Sequence, residues 1–230
     1  PADQSGLYNH LFNGDFEIWG NGATNPPSGW QLTGTGAAIT YTTGTIRFGA
    51  RAAQVNRAAV AGVGANAHLA INLAEYMGFP LAWWRGKTIT AGCWVLYTTT
   101  GDVVAHLSIA GAGSHVEAHS LVNHTGNTQW EFIKVTTTLP TDATQVMLNL
   151  SVESPTGAAT AAVAYFDGAV LVIGSDVQDF VPSGWRGRRF LVNLSSSLPT
   201  TVGAAVTVYL GTAGHSAAED DVAWSLPFAN

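Results

Sequence analysis

Two carboxylates, Asp15 and Glu17, stand between Phe12, Phe16 and Trp19 in the stretch LFNGDFEIWGNGATNPPSGWQL, residues 11 to 32. A carboxylate among aromatic rings is costly unless a cation or several hydrogen-bond donors satisfy it, so this stretch is a candidate site. A second set, His115, Glu117 and His119 in SHVEAHSLVNH, would share one face of a strand and offers two imidazoles and a carboxylate to zinc or nickel for metal-dependent hydrolysis. The plainer alternative is a Gly-flanked loop or edge strand whose polar residues are simply solvated. A third candidate is Trp94 in TITAGCWVLY, which alternation places with Thr88, Thr90 and Gly92, opposite Ile89, Ala91, Cys93 and Val95. An indole on a hydroxyl-lined face suits a pyranose, whose C–H groups stack on the ring while its hydroxyls meet nearby amides. The plainer alternative is that Trp94 packs beneath the C-terminal tail or the 72 to 84 crossover.

Enzymatic motifs are scarce. No G-x-S-x-G elbow, phosphate loop or dinucleotide fingerprint occurs. No spacing pairs Glu17, Glu75, Glu117, Glu131 or Glu153 with a second acid for glycoside cleavage. The expectation is a protein that is not an enzyme.

Composition narrows the partners. The 230 residues suit one large all-β domain, or a domain plus a smaller appendage. Only 10% are charged, so the surface is polar through hydroxyls and amides, and its weak self-repulsion favours assembly. A net charge of -6 with nine basic residues leaves no stripe for phosphate backbones, which argues against nucleic acid. No apolar run reaches the ~18 residues of a membrane span, so no membrane insertion is expected. Cys93 is the only cysteine, which excludes a disulfide within one chain; its apolar neighbours suggest a buried, inert thiol.

The elements that must position these groups are strands. Three segments alternate: 67 to 73 sets Leu69, Ile71 and Leu73 against His68, Ala70 and Asn72; 102 to 110 sets Val103, Ala105, Leu107 and Ile109 against Val104, His106 and Ser108; 144 to 152 sets Val146, Leu148, Leu150 and Val152 against Gln145, Met147, Asn149 and Ser151. Segments 88 to 98 and 162 to 173 are apolar on both faces, which suits central strands. Further strands are expected at 30 to 34, 37 to 42, 51 to 56, 130 to 138, 188 to 194 and 204 to 210, with a short crossover helix within 72 to 84. About ten short strands with Gly-rich turns define an all-β chain, a jelly-roll β-sandwich. Residues 1–176 are expected to form this domain, and 177–230 a C-terminal β extension for docking or oligomerisation.

NGDFEIW followed by PPSGW resembles the first strand and loop of galactose-binding-like jelly rolls, the architecture of many carbohydrate-binding modules. RGKTITAGCWVLY (85 to 97), WEFIKVTTTLP (130 to 140) and AVAYFDGAVLVIG (162 to 174) match later pieces in order. The passage from LVIG into SDVQDFVP is similar to the closing element of such domains in bacteriophage tail and fibre proteins.

The resemblance implies a virion structural or adhesion protein on a virion surface or otherwise extracellular. Its implied partners are a host surface glycan, other virion proteins and further copies of itself, with a trimer favoured. A free carbohydrate-binding module from a polysaccharide-degrading enzyme is the alternative. If the sheets close as a jelly roll, His68, Asn72, His106, Gln145 and Asn149 would line one concavity with Trp94. The resemblance also implies a structural calcium ion held by Glu17 and Asp167. The same two carboxylates could instead be exposed edge residues, or accept hydrogen bonds from backbone amides or from Arg47 or Arg51.

Overall fold

A computed structural model describes residues 9–62, 66–97, 102–110, 118–119, 123–177, 205–208 and 224–227. The chain divides into two units, Pro1–Arg188 and Arg189–Asn230. The first holds strands β1 (Gln31–Thr33), β2 (Ala38–Thr42), β3 (Ala52–Arg57) and β4 (Ala67–Asn72), then the single-turn helices α1 (Leu73–Tyr76) and α2 (Leu81–Trp84). Strands β5 (Thr88–Tyr97), β6 (Val104–Ala110), β7 (Ala118–His119), β8 (Glu131–Thr138), β9 (Met147–Glu153) and β10 (Ala162–Ile173) complete it. In the second unit, β11 (Ala205–Val208) pairs antiparallel with β12 (Trp224–Pro227).

The first unit is an antiparallel jelly-roll sandwich. One sheet runs β1-β4-β9-β6-β7 and the other β2-β3-β10-β5-β8. The core lies between them and is filled by the aliphatic face of each alternating strand: Leu69 and Ile71 of β4, Leu107 and Ile109 of β6, and Leu148 and Leu150 of β9, all fully buried. Each such side chain contributes about 1.5–3 kcal/mol relative to an exposed one. Trp19 and Trp30 belong to the same core. Trp84 is buried, whereas its neighbour Trp83 stacks on Phe79 with ring centroids 4.0 Å apart. Cys93 is buried, and burial followed by the Asp167 charge pushes its thiol well up, so it stays protonated.

Strand β10 reads as apolar throughout because its parity changes midway. Ala162, Ala164 and Phe166 face the core, and after a bulge between Asp167 and Val170 the core-facing residues become Ala169 and Leu171. Gly168, at φ +58°, supplies the left-handed residue such a bulge requires. Pairing with β3 ends at Phe166. Beyond it the N-terminal segment takes over: His10 N–H donates to Leu171 O at 2.8 Å, and Ala169 N–H donates to Gly14 O at 2.7 Å. The stretch with the two carboxylates is therefore fixed to the bulge that carries Asp167.

The crossover between 72 and 84 forms two short turns rather than one helix. Asn72 caps the first, its Oδ1 accepting from Ala74 N–H at 3.1 Å, and Gly78 (φ +69°) and Pro80 separate it from the second.

Candidate functional site

The polar positions of three strands meet because those strands are neighbours in one sheet. On the outer face of β1-β4-β9-β6-β7, the register aligns Thr33 with His68, His68 with Ser151, and Ser151 with His106. A second rung aligns Gln31 with Ala70, Ala70 with Asn149, and Asn149 with Ser108. With strands about 4.8 Å apart, each rung crosses the sheet for roughly 14 Å, and the two rungs lie about 7 Å apart along the strands. Ser108, Ser151 and His106 are buried, so the rungs are recessed at β6 and β9 and open toward His68 and β1.

Hydrogen bonds organise this face. Nδ1 of His68 lies 3.0 Å from Ser151 Oγ and 3.3 Å from Glu153 Oε1, and Nε2 of His106 lies 3.5 Å from the same carboxylate oxygen. Asn149 Nδ2 donates to Ser108 Oγ at 3.2 Å. Ser151 and Glu153 both meet Nδ1 of His68, whereas a nucleophile–base–acid relay needs them on opposite ring nitrogens. The arrangement is a hydrogen-bonded network of side chains from three strands.

Four of the expected residues, His68, Asn72, His106 and Asn149, thus share one face. Asn72 has the additional task of capping α1. Gln145 precedes β9 and is exposed. Trp94 is on the other sheet, on its outer face, so the two faces point away from each other and the single shared concavity does not form. There the Arg47 guanidinium lies 4.2 Å from the Trp94 ring, and Phe48 and Phe132 pack around it with Val170, Val172 and Val177. The indole anchors a small satellite cluster. His115 and Glu117 lie outside the described residues, as does the side chain of His119.

Glu153 and Ser151 were legible in principle, since alternation along β9 continues Met147, Asn149, Ser151 and Glu153 on one face. What sequence alone does not show is that Glu153 reaches two histidines from two other strands.

The carboxylate corner has its own geometry. Asp167 Oδ2 accepts from Arg47 N–H at 2.7 Å and Phe48 N–H at 2.9 Å, and Oδ1 accepts from Gly168 N–H at 2.7 Å. Glu17 Oε1 accepts from Ala50 N–H at 2.7 Å and Arg51 N–H at 3.1 Å, while Arg51 Nη1 donates to Glu17 O at 3.0 Å. Gly49 sits between these donors at φ +64°, where a Cβ would lie 2.0 Å from Glu17 Oε1. One loop, 47 to 51, therefore turns its amide protons onto both carboxylates. A calcium ion wants six to eight oxygens, and N–H groups present their positive ends instead. This set does not fit the ion, and it matches the hydrogen-bond alternative for Glu17 and Asp167. Among the described residues no group of three or more His, Cys, Asp or Glu side chains is arranged to hold a metal.

Burial pushes the Asp167 carboxyl up to about 6 against the pull of its three N–H donors, and the Glu17 charge adds to the rise. The unfolded chain titrates near the ordinary value of about 4, so between pH 4 and 6 the folded state binds more protons, and this group's contribution to stability falls as pH rises. A difference of about two units corresponds to on the order of 3 kcal/mol. Wild type is accordingly expected to gain stability relative to D167N by that order between pH 7 and pH 4, read from urea unfolding at both values. A pH-independent difference between the two proteins would refute the assignment.

No protein-family model and no curated protein matches the sequence. Solved structures do. The chain is similar to the C-terminal family 22 carbohydrate binding module of Clostridium thermocellum Xyn10B, with TM-score 0.51 and 17% identity over 77% of this chain and 100% of that one. It is also similar to a xylan-binding domain of carbohydrate-binding module family 22 (TM-score 0.48, 16% identity, 70% and 100% covered). A third likeness is to the enzymatically active domain of bacteriophage CBA120 tailspike protein 4 (TM-score 0.47, 16% identity), covering 72% of this chain and 21% of that one. The first unit is a jelly-roll β-sandwich with the fold of a carbohydrate-binding module.

Proposed function

We propose that this protein is a non-catalytic glycan-binding module whose binding face is the outer surface of the β1-β4-β9-β6-β7 sheet. The observation that carries this reading is the pair of rungs, in which Gln31, Thr33, His68 and Asn149 offer open amide, hydroxyl and imidazole groups beside the buried His106, Ser108 and Ser151, with Ala70 as the apolar position of the second rung. A polysaccharide lying across the strands meets both rungs, and sugar hydroxyls are matched by groups that donate and accept. The described strand positions of this face carry no aromatic side chain. Recognition here is by hydrogen bonds, with weak affinity per site that repeated display would raise.

The finer reading is display on a phage-like particle, with host surface glycan as the ligand and other virion proteins and copies of this chain, three in the favoured assembly, as neighbours. Its support is the resemblance of the N-terminal motif and of the passage into SDVQDFVP, together with the charge-poor composition. A free module from a polysaccharide-degrading enzyme shares the same face and differs in lacking that assembly. Light scattering separates the two, with a stable oligomer expected for the first and a monomer for the second.

A glycan array followed by calorimetry tests the face itself. His68→Ala and Asn149→Ala are each expected to weaken binding about tenfold, the equivalent of one net hydrogen bond of about 1.4 kcal/mol, while Trp94→Ala leaves it within twofold. The reverse pattern, with loss only in the Trp94 variant, would move the site to the opposite sheet.

A further inference from the structure

We infer that Glu153 is the positioning residue of this face: one carboxylate oxygen holds the imidazoles of His68 and His106 and fixes which ring nitrogen of His68 is presented to a ligand. This deepens the glycan-binding reading and rests on it for the ligand, though not for the state of the histidine.

The argument starts from what an ionised carboxylate can do. It accepts hydrogen bonds and donates none, so each imidazole nitrogen facing it must carry a proton. Glu153 Oε1 is 3.3 Å from His68 Nδ1 and 3.5 Å from His106 Nε2. Ser151 Oγ lies 3.0 Å from the same Nδ1 and, once the carboxylate fixes a proton on that nitrogen, takes the acceptor role toward it. In a neutral ring the proton on Nδ1 makes Nε2 of His68 an acceptor, because the hydrogen bond at one nitrogen sets the role of the other.

The exposures point the same way. The side chain of His106 is 5% exposed and that of Glu153 17%, whereas His68 is 30% exposed and is the member of the trio open to solvent. The recessed pair orients the exposed imidazole. An acceptor at Nε2 of His68 takes a hydroxyl proton from a sugar, and the negative charge beneath it disfavours a carboxylate-bearing sugar at the same point. The expected ligand class is accordingly an uncharged, hydroxyl-rich glycan, with polyuronates and sialylated chains selected against.

The test has two readouts on the full chain. Long-range proton–nitrogen NMR of the wild type at about pH 8, where an ordinary imidazole is neutral, should show His68 protonated at Nδ1 with an unprotonated Nε2. In Glu153→Ala the proton should shift toward Nε2, and affinity for soluble xylan, used as the uncharged probe, should fall about tenfold. Polygalacturonate, the charged probe, should bind wild type at least tenfold more weakly than xylan does and should lose that handicap in E153A. A wild-type His68 carrying its proton on Nε2 overturns the inference without any variant having to fold, as does an E153A protein with unchanged tautomer and unchanged affinities. Should wild type show the Nδ1 proton yet bind neither probe nor any glycan of the array, the glycan-binding reading fails while the positioning of His68 stands.

Discussion

Replacing Arg57 by Met is expected to cost the fold about 3–5 kcal/mol, because several neutral oxygen acceptors lose their donor at once. Arg57 is almost fully buried at the end of β3, and among the described residues its hydrogen-bond partners include no carboxylate. Its guanidinium instead serves as a backbone clamp. Nε donates to Asn66 Oδ1 at 3.2 Å, Nη1 donates to Thr160 O and to Ala58 O, and Nη2 donates to Ala158 O at 2.9 Å and Val60 O at 3.5 Å. These acceptors belong to the loop after β3 and the loop before β10, two segments about a hundred residues apart in sequence. Asn66 extends the clamp, its Oδ1 also accepting from Ser154 N–H at 3.0 Å.

Methionine fills much of the same volume without a donor. The loss is therefore not a cavity but a set of oxygens left without partners, each worth about 1–3 kcal/mol if it stays dry. Lysine restores the charge but not the fork, and should recover only part of the loss. Urea unfolding followed by tryptophan fluorescence measures the difference, and thermal unfolding should show a fall in Tm of about 10 °C for R57M. A loss below about 1 kcal/mol would mean that water replaces the guanidinium and that the loops are held by other contacts.

The second large effect is expected at Phe16, between the two carboxylates of the N-terminal motif. Phe16→Ala should destabilise by about 3–5 kcal/mol, as for other fully buried aromatics. The ring is fully buried and packs against Trp30 at 5.2 Å between centroids, and the Phe16 carbonyl accepts from Trp19 Nε1. Phe16 also adopts a left-handed backbone, φ +52°, which a residue other than glycine adopts at a cost of order 1–3 kcal/mol. Burial of the ring offsets that strain. Once the ring is gone nothing repays the turn, so the Glu17 contact with the 47 to 51 loop should loosen as well. Chemical denaturation gives the energy, and amide exchange at Ala50 and Arg51 reads the second consequence. Protection there that matches wild type in F16A would show that the loop holds Glu17 independently of the core.

Much of the architecture was legible in the sequence. Alternation at 67 to 73, 102 to 110 and 144 to 152 identified three strands and the polar residues on their outer faces. The doubly apolar segments at 88 to 98 and 162 to 173 became β5 and β10, the two central neighbours of the second sheet. In β10 the apolar run concealed a bulge, because Gly168 shifts parity by one residue and leaves both halves looking hydrophobic on both faces. The carboxylate corner was half legible. The aromatic setting of Glu17 shows in the sequence that it needs a partner, but the partners of Glu17 and Asp167 are backbone amides, which every residue type except proline carries.

What the sequence determined by itself is which side of its own strand each residue occupies, because side chains alternate with period two whatever the strand's neighbours are. His68, His106 and Asn149 were bound to be outer-face residues of their strands, and Trp94 of its own. Which strands became neighbours was decided by the tertiary structure alone. Pairing of β4 with β9 brings His68 beside Ser151 across 83 residues of sequence, and β6 on the far side brings His106 to the same carboxylate. Trp94 obeyed the same local rule but entered the other sheet, where Arg47 and Phe132 enclose it. The physical reason is that alternation is a property of one backbone, whereas a binding face is a property of sheet order, and sheet order follows from how several apolar faces close together over one core.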